Sequence, residues 1–319
     1  MITLYSGYTE DPTPKGSPAM TRPSWEDLPE SIRDAVQERC GPVLKAETAA
    51  SGRPGVAARL YTETGSVFVK ATPSISGAAT LHLREEWANR ALPEEVPAPR
   101  MLWRGSADGW HMMLFEYVDA RRVDLSPGSP DLPAVLATLD LLGRLLTPGP
   151  NGALPVTFNM EALQAKGRHL LDTGRLADRD LFEAALRGFS LERLRGDTML
   201  HYDLNAGDLL ISAGRVHVLN WSFAVRGAAW IDCALFAPRL VAAGHSPAQA
   251  DLLLSGVPAW RAARPDAVAA LAALWTLLRM HQAMHGPEET RAARTRAAEV
   301  GRSWLVYRSG VEKRSRLRR

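Results

Sequence analysis

The chain has 319 residues, of which 46% are hydrophobic and 23% are charged. This apolar fraction is too high for a disordered protein, and the length allows one large or two small domains with a sizeable core. No apolar run reaches the roughly 18 residues of a membrane span, and the N-terminus lacks the basic and apolar segments of a secretion signal. Two cysteines cannot form a disulfide framework, so we expect a cytoplasmic protein without a membrane partner.

The first elements of the chain are a leader and a helix. Residues 1–24 are rich in Pro, Gly, Ser and Thr without apolar periodicity, which predicts a mobile leader. The following segment predicts a short helix, with Ser24 as its N-terminal cap and Gly41 as its end.

Two β-hairpins and a second helix are predicted next. The first hairpin turns at Thr62–Gly65 and the second at Ala107–Gly109, with a helix over residues 79–92 between them. After the Pro/Gly/Ser segment at 126–130, most patterns are helical. A strand-rich first third followed by a helix-rich remainder indicates two lobes with a boundary near residues 118–130.

The net charge of +3 comes from the C-terminal end of the chain. Residues 301–319 contain seven basic residues and one acidic residue, so the rest of the chain is slightly acidic. We interpret residues 307–319 as a solvated basic tail, and contact with nucleic acid is the less favoured alternative. Only five basic residues are lysines, so composition does not explain a lysine in an apolar setting.

Lys70 is such a lysine. It ends an alternating strand in which Val67 and Val69 indicate a half-buried sheet. An amine at this position is desolvated unless it meets a carboxylate or a phosphate, and the following helix supplies Glu85 and Glu86. The alternative is an exposed lysine at the end of a strand.

Polar residues with ligand chemistry are concentrated in the segment LHYDLNAGDLLISAGRVHVLNWS. Two short strands joined by a tight turn would bring Asp203, Asp208 and Asn220 to one end of a hairpin. Such a group of oxygen ligands suits magnesium, although Asp and Asn in a loop are often only turn formers. A zinc site of His201, His217 and Asp203 is a weaker alternative, because nothing else in the chain has zinc spacing.

Taken in order, these residues resemble the aminoglycoside phosphotransferase family, which consists of kinase-like enzymes that phosphorylate small molecules. The resemblance covers roughly residues 40–290. The family's β3 lysine is matched by Lys70 in VFVK, its αC glutamate by Glu85 with Glu86 as the alternative, and its hinge by FEYV at Phe115–Val118. Its catalytic loop is matched by HYDLNAGD at His201–Asp208, its metal-binding strand end by Asn220 in VLNW, and its second structural aspartate by Asp232.

The resemblance implies an α+β fold of the two-lobed protein-kinase-like type. A small strand-rich N-lobe would span residues 25–118 and a larger helical C-lobe residues 119–306. It also implies ATP and Mg²⁺ as cofactors and a hydroxyl group of a small molecule as the phosphate acceptor.

The roles of individual residues follow from the same resemblance. Lys70, held by Glu85, would bind the α- and β-phosphates, while Glu116 and Val118 would present hinge backbone groups to adenine. Asp203 would orient the acceptor hydroxyl and take its proton. The resemblance further implies that His201 and Asp232 brace the loop and do no chemistry.

Two departures from the family pattern fall on the positions that would hold magnesium. The loop asparagine of the family is Asp208 here, and the strand-end aspartate is Asn220, so the number of carboxylates is the same. The segment at 50–55 that would cover the phosphates has only two glycines, which limits the approach of its backbone to phosphate. Two interpretations stay open, a working phosphotransferase and a pseudokinase whose cleft is kept for ligand binding, regulation or another reaction.

The substrate is weakly constrained by charge. Residues 233–300 contain seven arginines and five acidic residues, which is not the acidic surface that a polycation requires. We therefore expect a neutral or weakly charged, hydroxylated small molecule. Trp230, Trp260 and Trp275, with Met280 and Met284, belong either to an apolar or aromatic pocket or, more commonly, to the core.

Overall fold

A computed structural model describes residues 23–49, 55–173 and 176–310 of the chain. Almost all of the predicted leader, most of the predicted phosphate-covering segment and most of the predicted basic tail lie outside these residues. The last described helix continues through Arg308, so the first residues of the predicted tail are helical.

The secondary structure comprises strands concentrated towards the N-terminus and helices concentrated towards the C-terminus. The strands are β1 (Val43–Thr48), β2 (Val56–Thr62), β3 (Gly65–Pro73), β4 (Met101–Ala107), β5 (Trp110–Glu116), β6 (Arg121–Arg122), β7 (Thr198–Leu200), β8 (Leu209–Ser212), β9 (Arg215–Val218) and β10 (Val225–Gly227). The helices are α1 (Glu30–Cys40), α2 (Ala79–Ala91), α3 (Leu132–Leu145), α4 (Val156–Asp172), α5 (Arg179–Leu186), α6 (Trp230–Ala242), α7 (Pro247–Leu254), α8 (Pro258–Arg261), α9 (Pro265–His285) and α10 (Glu288–Arg308). The predicted α+β, two-lobed kinase-like fold is confirmed.

The described residues form two compact units. The N-terminal unit contains the described chain up to Arg122 together with Gly207–Ala224, and the helical unit contains Val123–Ala206 and the chain from Val225. The β8–β9 hairpin therefore groups with the N-terminal sheet, although it lies within the sequence range predicted for the C-lobe. Strand pairing gives the reason, because β8 pairs with β6 as well as with β9. The predicted boundary between residues 118 and 119 stays a prediction.

An antiparallel sheet with strand order β1-β2-β3-β5-β4 is the framework of the N-terminal unit. Both predicted hairpins are confirmed, with turns between β2 and β3 and between β4 and β5. The edge strand β1 was not predicted, because most of its side chains are exposed and show no alternation.

Alternation along β3 determines the direction of the Lys70 side chain. Val69 and Ala71 are fully buried in the core cluster that α1 covers with Ile32 and Val36. Since successive strand residues point to opposite faces, Lys70 lies on the other face of the sheet. This places its amine away from the apolar core of α1.

The predicted start of α1 is wrong and its predicted end is confirmed. The Ser24 N–H and hydroxyl both donate to Asp27 Oδ2, at 2.7 and 2.9 Å, in a turn before the helix. The helix begins only at Glu30, because Pro29 disfavours a helical conformation of the residue before it. Gly41 ends the helix with φ 85° and donates its N–H to the Gln37 carbonyl at 2.8 Å.

Four helices pack around one apolar cluster of the helical unit. Leu170 of α4, Phe182 of α5, Leu277 of α9 and Leu305 of α10 are all buried in this cluster. Strands β7 and β10 form a short antiparallel pair in the same unit. Among the helices described here, none has both the length and the apolar character needed to cross a membrane.

Candidate functional site

A tight hairpin brings two of the predicted site residues together. Strands β8 and β9 pair with Leu209 opposite Val218, so the chain enters and leaves the hairpin at one end. The two turn residues, Ala213 and Gly214, both have positive φ, which matches the twist of a two-residue hairpin. Asp208 precedes β8 and Asn220 follows β9.

Asp208 and Asn220 are in direct contact. The Asn220 side-chain amide donates to Asp208 Oδ1 at 2.6 Å, and the Leu219 N–H donates to the Asp208 carbonyl at 2.8 Å. Asn220 has a left-handed backbone conformation with φ 62°, which asparagine tolerates better than most residues. The prediction that the hairpin joins these two positions is confirmed.

Lys70 lies between a carboxylate and an amide. Its Nζ donates to Glu85 Oε1 at 2.5 Å and to Asn220 Oδ1 at 2.7 Å, and it lies 5.5 Å from the centre of the Phe115 ring. The Lys70 side chain is 14% exposed and that of Glu85 is 2% exposed. At such burial, the ammonium and the carboxylate each stabilise the charged form of the other.

The choice between Glu85 and Glu86 is decided by the face of α2 on which each lies. Glu85 is on the buried face and also accepts from the Ser222 hydroxyl at 3.1 Å. Glu86 instead pairs with Arg104 at 3.1 Å and, more distantly, with Arg90 of its own helix. Ser222 was not predicted, although it follows the predicted ligand Asn220 by only two positions.

The donors at this place fit magnesium in kind. Asp208 offers carboxylate oxygens and Asn220 one amide oxygen, and magnesium uses one or two carboxylates together with substrate phosphates. Within the described residues, no group of three or more His, Cys, Asp or Glu side chains is placed to hold a metal ion.

The hinge residues follow β5. The Glu116 N–H donates to the Arg100 carbonyl at 3.0 Å, so the backbone group it could offer to adenine is its carbonyl. The Arg59 guanidinium lies 3.9 Å from the centre of the Tyr117 ring. Arg59 Nη1 also donates a hydrogen bond to the Tyr117 hydroxyl at 3.2 Å. Val118 comes next and is half-buried. The adenine contacts of Glu116 and Val118 stay predictions.

Of the segment predicted to cover phosphate, Gly55 alone is described. It has φ 107°, and a Cβ at this position would lie 2.5 Å from the Ala71 carbonyl oxygen. A glycine is therefore required here by the β2–β3 pairing, independently of any phosphate.

Asp203 lies in the helical unit, in the loop after β7. Its side chain is 7% exposed, and its Oδ1 lies 3.3 Å from Arg239 Nη2 of α6. Asn205 donates its side-chain amide to the Asp203 carbonyl at 3.1 Å and so supports the loop locally. Arg239 is a contact that the sequence analysis missed, because nothing local links α6 to this loop.

Asp232 holds the backbone of the same loop. Its carboxylate accepts the N–H of His201 at 2.8 Å and that of Tyr202 at 2.7 Å, and Tyr202 has φ 71°. Complete burial raises the pKa of Asp232, while the His201 side chain and the two N–H donors oppose this rise. These contacts are those of a brace, as the resemblance implies.

We expect Asp232→Ala to destabilise the protein by about 2–6 kcal/mol, because two buried N–H groups lose their acceptor at about 1–3 kcal/mol each. Asp232→Asn should cost less, since its amide keeps one oxygen acceptor. Urea unfolding measures both, with the exposed Asp197→Asn as the control, expected to lie within about 0.5 kcal/mol of the parent. Equal stabilities for the two Asp232 variants and the control would contradict the bracing role.

Two of the three tryptophans belong to the core. Trp230 and Trp260 are 7% and 6% exposed, and the Trp260 indole donates to Asp251 at 3.0 Å. Trp275 differs from them because it is only half-buried, and its ring lies 5.8 Å from that of Tyr202 and 5.3 Å from the Arg279 guanidinium. Of the three tryptophans, the pocket interpretation therefore keeps Trp275.

No family model and no curated protein sequence matches the chain. Solved structures do match, over most of their length. A thermostable mutant of an aminoglycoside phosphotransferase, in a ternary complex with AMP-PNP and hygromycin B, is 19% identical with a TM-score of 0.56, covering 86% of this chain and 99% of that one. The chain has the aminoglycoside phosphotransferase fold.

Other small-molecule kinases share this fold. Choline kinase from Streptococcus pneumoniae is 15% identical with a TM-score of 0.58, covering 86% of this chain and all of that one. Amicoumacin kinase, crystallised with AMP-PNP and Ca²⁺, is 13% identical with a TM-score of 0.57, covering 84% and 92% of the two chains. At these identities the likeness is one of fold, and it extends over acceptors of different chemistry.

Proposed function

We propose that the protein is an ATP-dependent O-phosphotransferase that acts on a hydroxyl group of a small molecule. The observation that carries this proposal is the buried Lys70–Glu85 pair in contact with Asn220, which in turn contacts Asp208. A lysine held by a buried glutamate presents a fixed positive charge, which is what a nucleotide phosphate requires. The fold neighbours support the proposal, because two of them were crystallised with AMP-PNP.

In the proposed reaction Asp203 accepts the proton of the acceptor hydroxyl. The hydroxyl oxygen forms a bond to the γ-phosphorus, the bond from that phosphorus to the β-phosphate oxygen breaks, and ADP leaves. Lys70 binds the phosphates of ATP, and the Glu116 carbonyl with the Val118 N–H binds adenine. Magnesium, which Asp208 and Asn220 would hold, supplies positive charge to the phosphates when it is bound.

One observation favours a pseudokinase as the second candidate. The Asn220 oxygen that would ligate magnesium accepts from Lys70, and the Asn220 amide donates to Asp208. This network gives each of the three side chains a partner within the protein. In this alternative the nucleotide site serves ligand binding or regulation and transfers no phosphate.

Nucleotide binding tests the proposal without knowledge of the acceptor. ATP at about 100 times its dissociation constant should stabilise the protein by about 2.7 kcal/mol, which a melting curve resolves with and without Mg²⁺. Lys70→Ala should weaken ATP binding about 10- to 150-fold, since a hydrogen bond to a charged group contributes ~1.5–3 kcal/mol.

Lys45→Ala is the matched control for Lys70→Ala. Lys45 lies in the same sheet but its side chain is 64% exposed and pairs with Glu47, so ATP affinity should be unchanged. Circular dichroism verifies that both variants are folded. Equal ATP affinity of Lys70→Ala and the parent would contradict the phosphate-binding role, and absence of ATP binding in the parent would contradict the nucleotide site itself.

A further inference from the structure

Three arginines of the helical unit are linked by contacts to Asp203 or to one glutamine of α9. Arg239 comes from α6, Arg279 from α9 and Arg294 from α10. Arg279 Nη1 donates to Gln282 Oε1 at 3.3 Å, and Arg294 Nη1 donates to the same oxygen at 3.0 Å. Arg239 reaches Asp203 at 3.3 Å.

Arg279 is the most informative member of this group. It is 6% exposed, and the partners described for its guanidinium are a neutral amide oxygen and the Trp275 ring. Burial lowers the pKa of Arg279, the charges of Arg239 and Arg294 lower it further, and Asp203 raises it. Among the described residues, Asp203 pairs with Arg239, and no carboxylate lies within ion-pair distance of Arg279.

Burying a guanidinium without a carboxylate partner is costly, and proteins normally avoid it. A second observation at the same place is independent of charge. The Trp275 Nε1 is buried and has no hydrogen-bond acceptor among the residues that the structure describes. This indole contacts both Arg279 and Tyr202, the residue before Asp203. Arg239 thus contacts Asp203 itself, Trp275 contacts the residue before it, and Arg279 contacts Trp275.

We propose that Arg239, Arg279 and Trp275 form a binding site for an anionic group, and that the acceptor of the phosphotransferase carries a carboxylate or a phosphate. The second part rests on the proposed function. A guanidinium binds the two oxygens of such a group in a fork, which fixes both its position and its orientation. A hydroxyl on the same molecule would then lie close to Asp203. Cationic acceptors such as choline would instead be repelled by both arginines.

Anion binding tests the site by itself. We expect inorganic phosphate or malonate to raise the melting temperature above that in chloride of equal ionic strength. Arg279→Met and Arg239→Gln should each weaken anion binding at least tenfold, whereas Arg291→Gln, the same loss of charge at an exposed position of α10, should leave it unchanged. A response to phosphate only, or to malonate only, distinguishes the two anionic groups.

Arg279→Lys is the conservative variant in case Arg279→Met fails to fold. Lysine keeps the positive charge but loses the paired N–H donors of the guanidinium. Anion binding should be weakened in this variant and should persist in Lys70→Ala, which lies in the nucleotide site. Equal stabilisation of the parent, Arg239→Gln and Arg279→Lys by the anions would overturn the site. Loss of the anion effect in Lys70→Ala would also overturn it, since the anion would then occupy the ATP site.

The acceptor part of the proposal has its own readout. ADP release is measured with hydroxy acids and phosphorylated alcohols as one group and with choline and hygromycin B as the other. Turnover of the first group supports the inference, and turnover of the second group alone overturns it while leaving the proposed function intact. Anion binding at Arg279 without any nucleotide binding would remove the proposed function and keep the anion site.

Discussion

Asp203→Asn is expected to slow phosphoryl transfer about 10²- to 10⁴-fold, the usual contribution of a positioned general base. The amide keeps the size of the side chain but cannot take the proton of the acceptor hydroxyl. ATP affinity should stay within about twofold of the parent, because Lys70, Glu85, Asp208 and Asn220 are unchanged. Single-turnover ADP formation with an accepted substrate measures the loss.

Asp203→Asn also removes the carboxylate partner of Arg239, so the controls must detect any resulting loss of stability. Melting temperature identifies any loss of folded protein, and Asp197→Asn provides an exposed aspartate with the same chemical change. A fully active Asp203→Asn enzyme would show that another group takes the proton. A loss of ATP affinity equal to the loss in rate would mean that the substitution disturbs nucleotide binding.

Substitutions at the exchanged pair, Asp208 and Asn220, are expected to have the second large effect, on magnesium-dependent ATP binding. Asp208→Asn should abolish the magnesium dependence of ATP binding, because two neutral amides would then face the cation. Asn220→Asp places a second carboxylate at the 2.6 Å contact, so this variant should be less stable without magnesium and should recover stability with it. The double variant, which restores the family pattern, should keep or raise magnesium-dependent ATP affinity and any turnover.

A double-mutant cycle separates the shared ion from the direct hydrogen bond. Residues in contact couple by about 0.5–3 kcal/mol even without a ligand, so the cycle is first measured on the stability of the ligand-free protein. The coupling in magnesium-dependent ATP affinity must exceed that value if the two residues share one ion. Effects that simply add in ATP affinity would remove the exchange hypothesis and leave the pseudokinase. Little change in Asp208→Asn, with or without magnesium, would have the same meaning.

Local patterns were sufficient for the elements that carry the nucleotide-site residues. Alternation along β3 indicated a half-buried sheet at Lys70, and the turn residues indicated both N-terminal hairpins. The same reasoning brought Asp203, Asp208 and Asn220 to one end of a hairpin, which the structure bears out for the contact of Asp208 with Asn220, while the place of Asp203 stays a prediction. The predicted start of α1 was wrong because two local signals competed. The prediction relied on Ser24 as the N-terminal cap, whereas the backbone constraint of Pro29 delays the helix to Glu30.

The partners across the fold depended on tertiary structure. Lys70 and Asn220 are 150 positions apart, and Trp275 meets Tyr202 only because α9 packs beside the loop after β7. Glu85 and Glu86 are neighbours with the same chemistry, and the packing of α2 alone turned one towards Lys70 and the other towards Arg104. The sequence by itself thus determined the hairpins, since these follow from short-range backbone preferences and side-chain alternation, while the kinase-like fold class and the roles of the candidate residues came from the resemblance of its motifs to a known family. Only the tertiary structure decided which charged side chains share a partner. Burial and electrostatic contact depend on chain segments that are far apart in the sequence, and local patterns carry no information about their pairing.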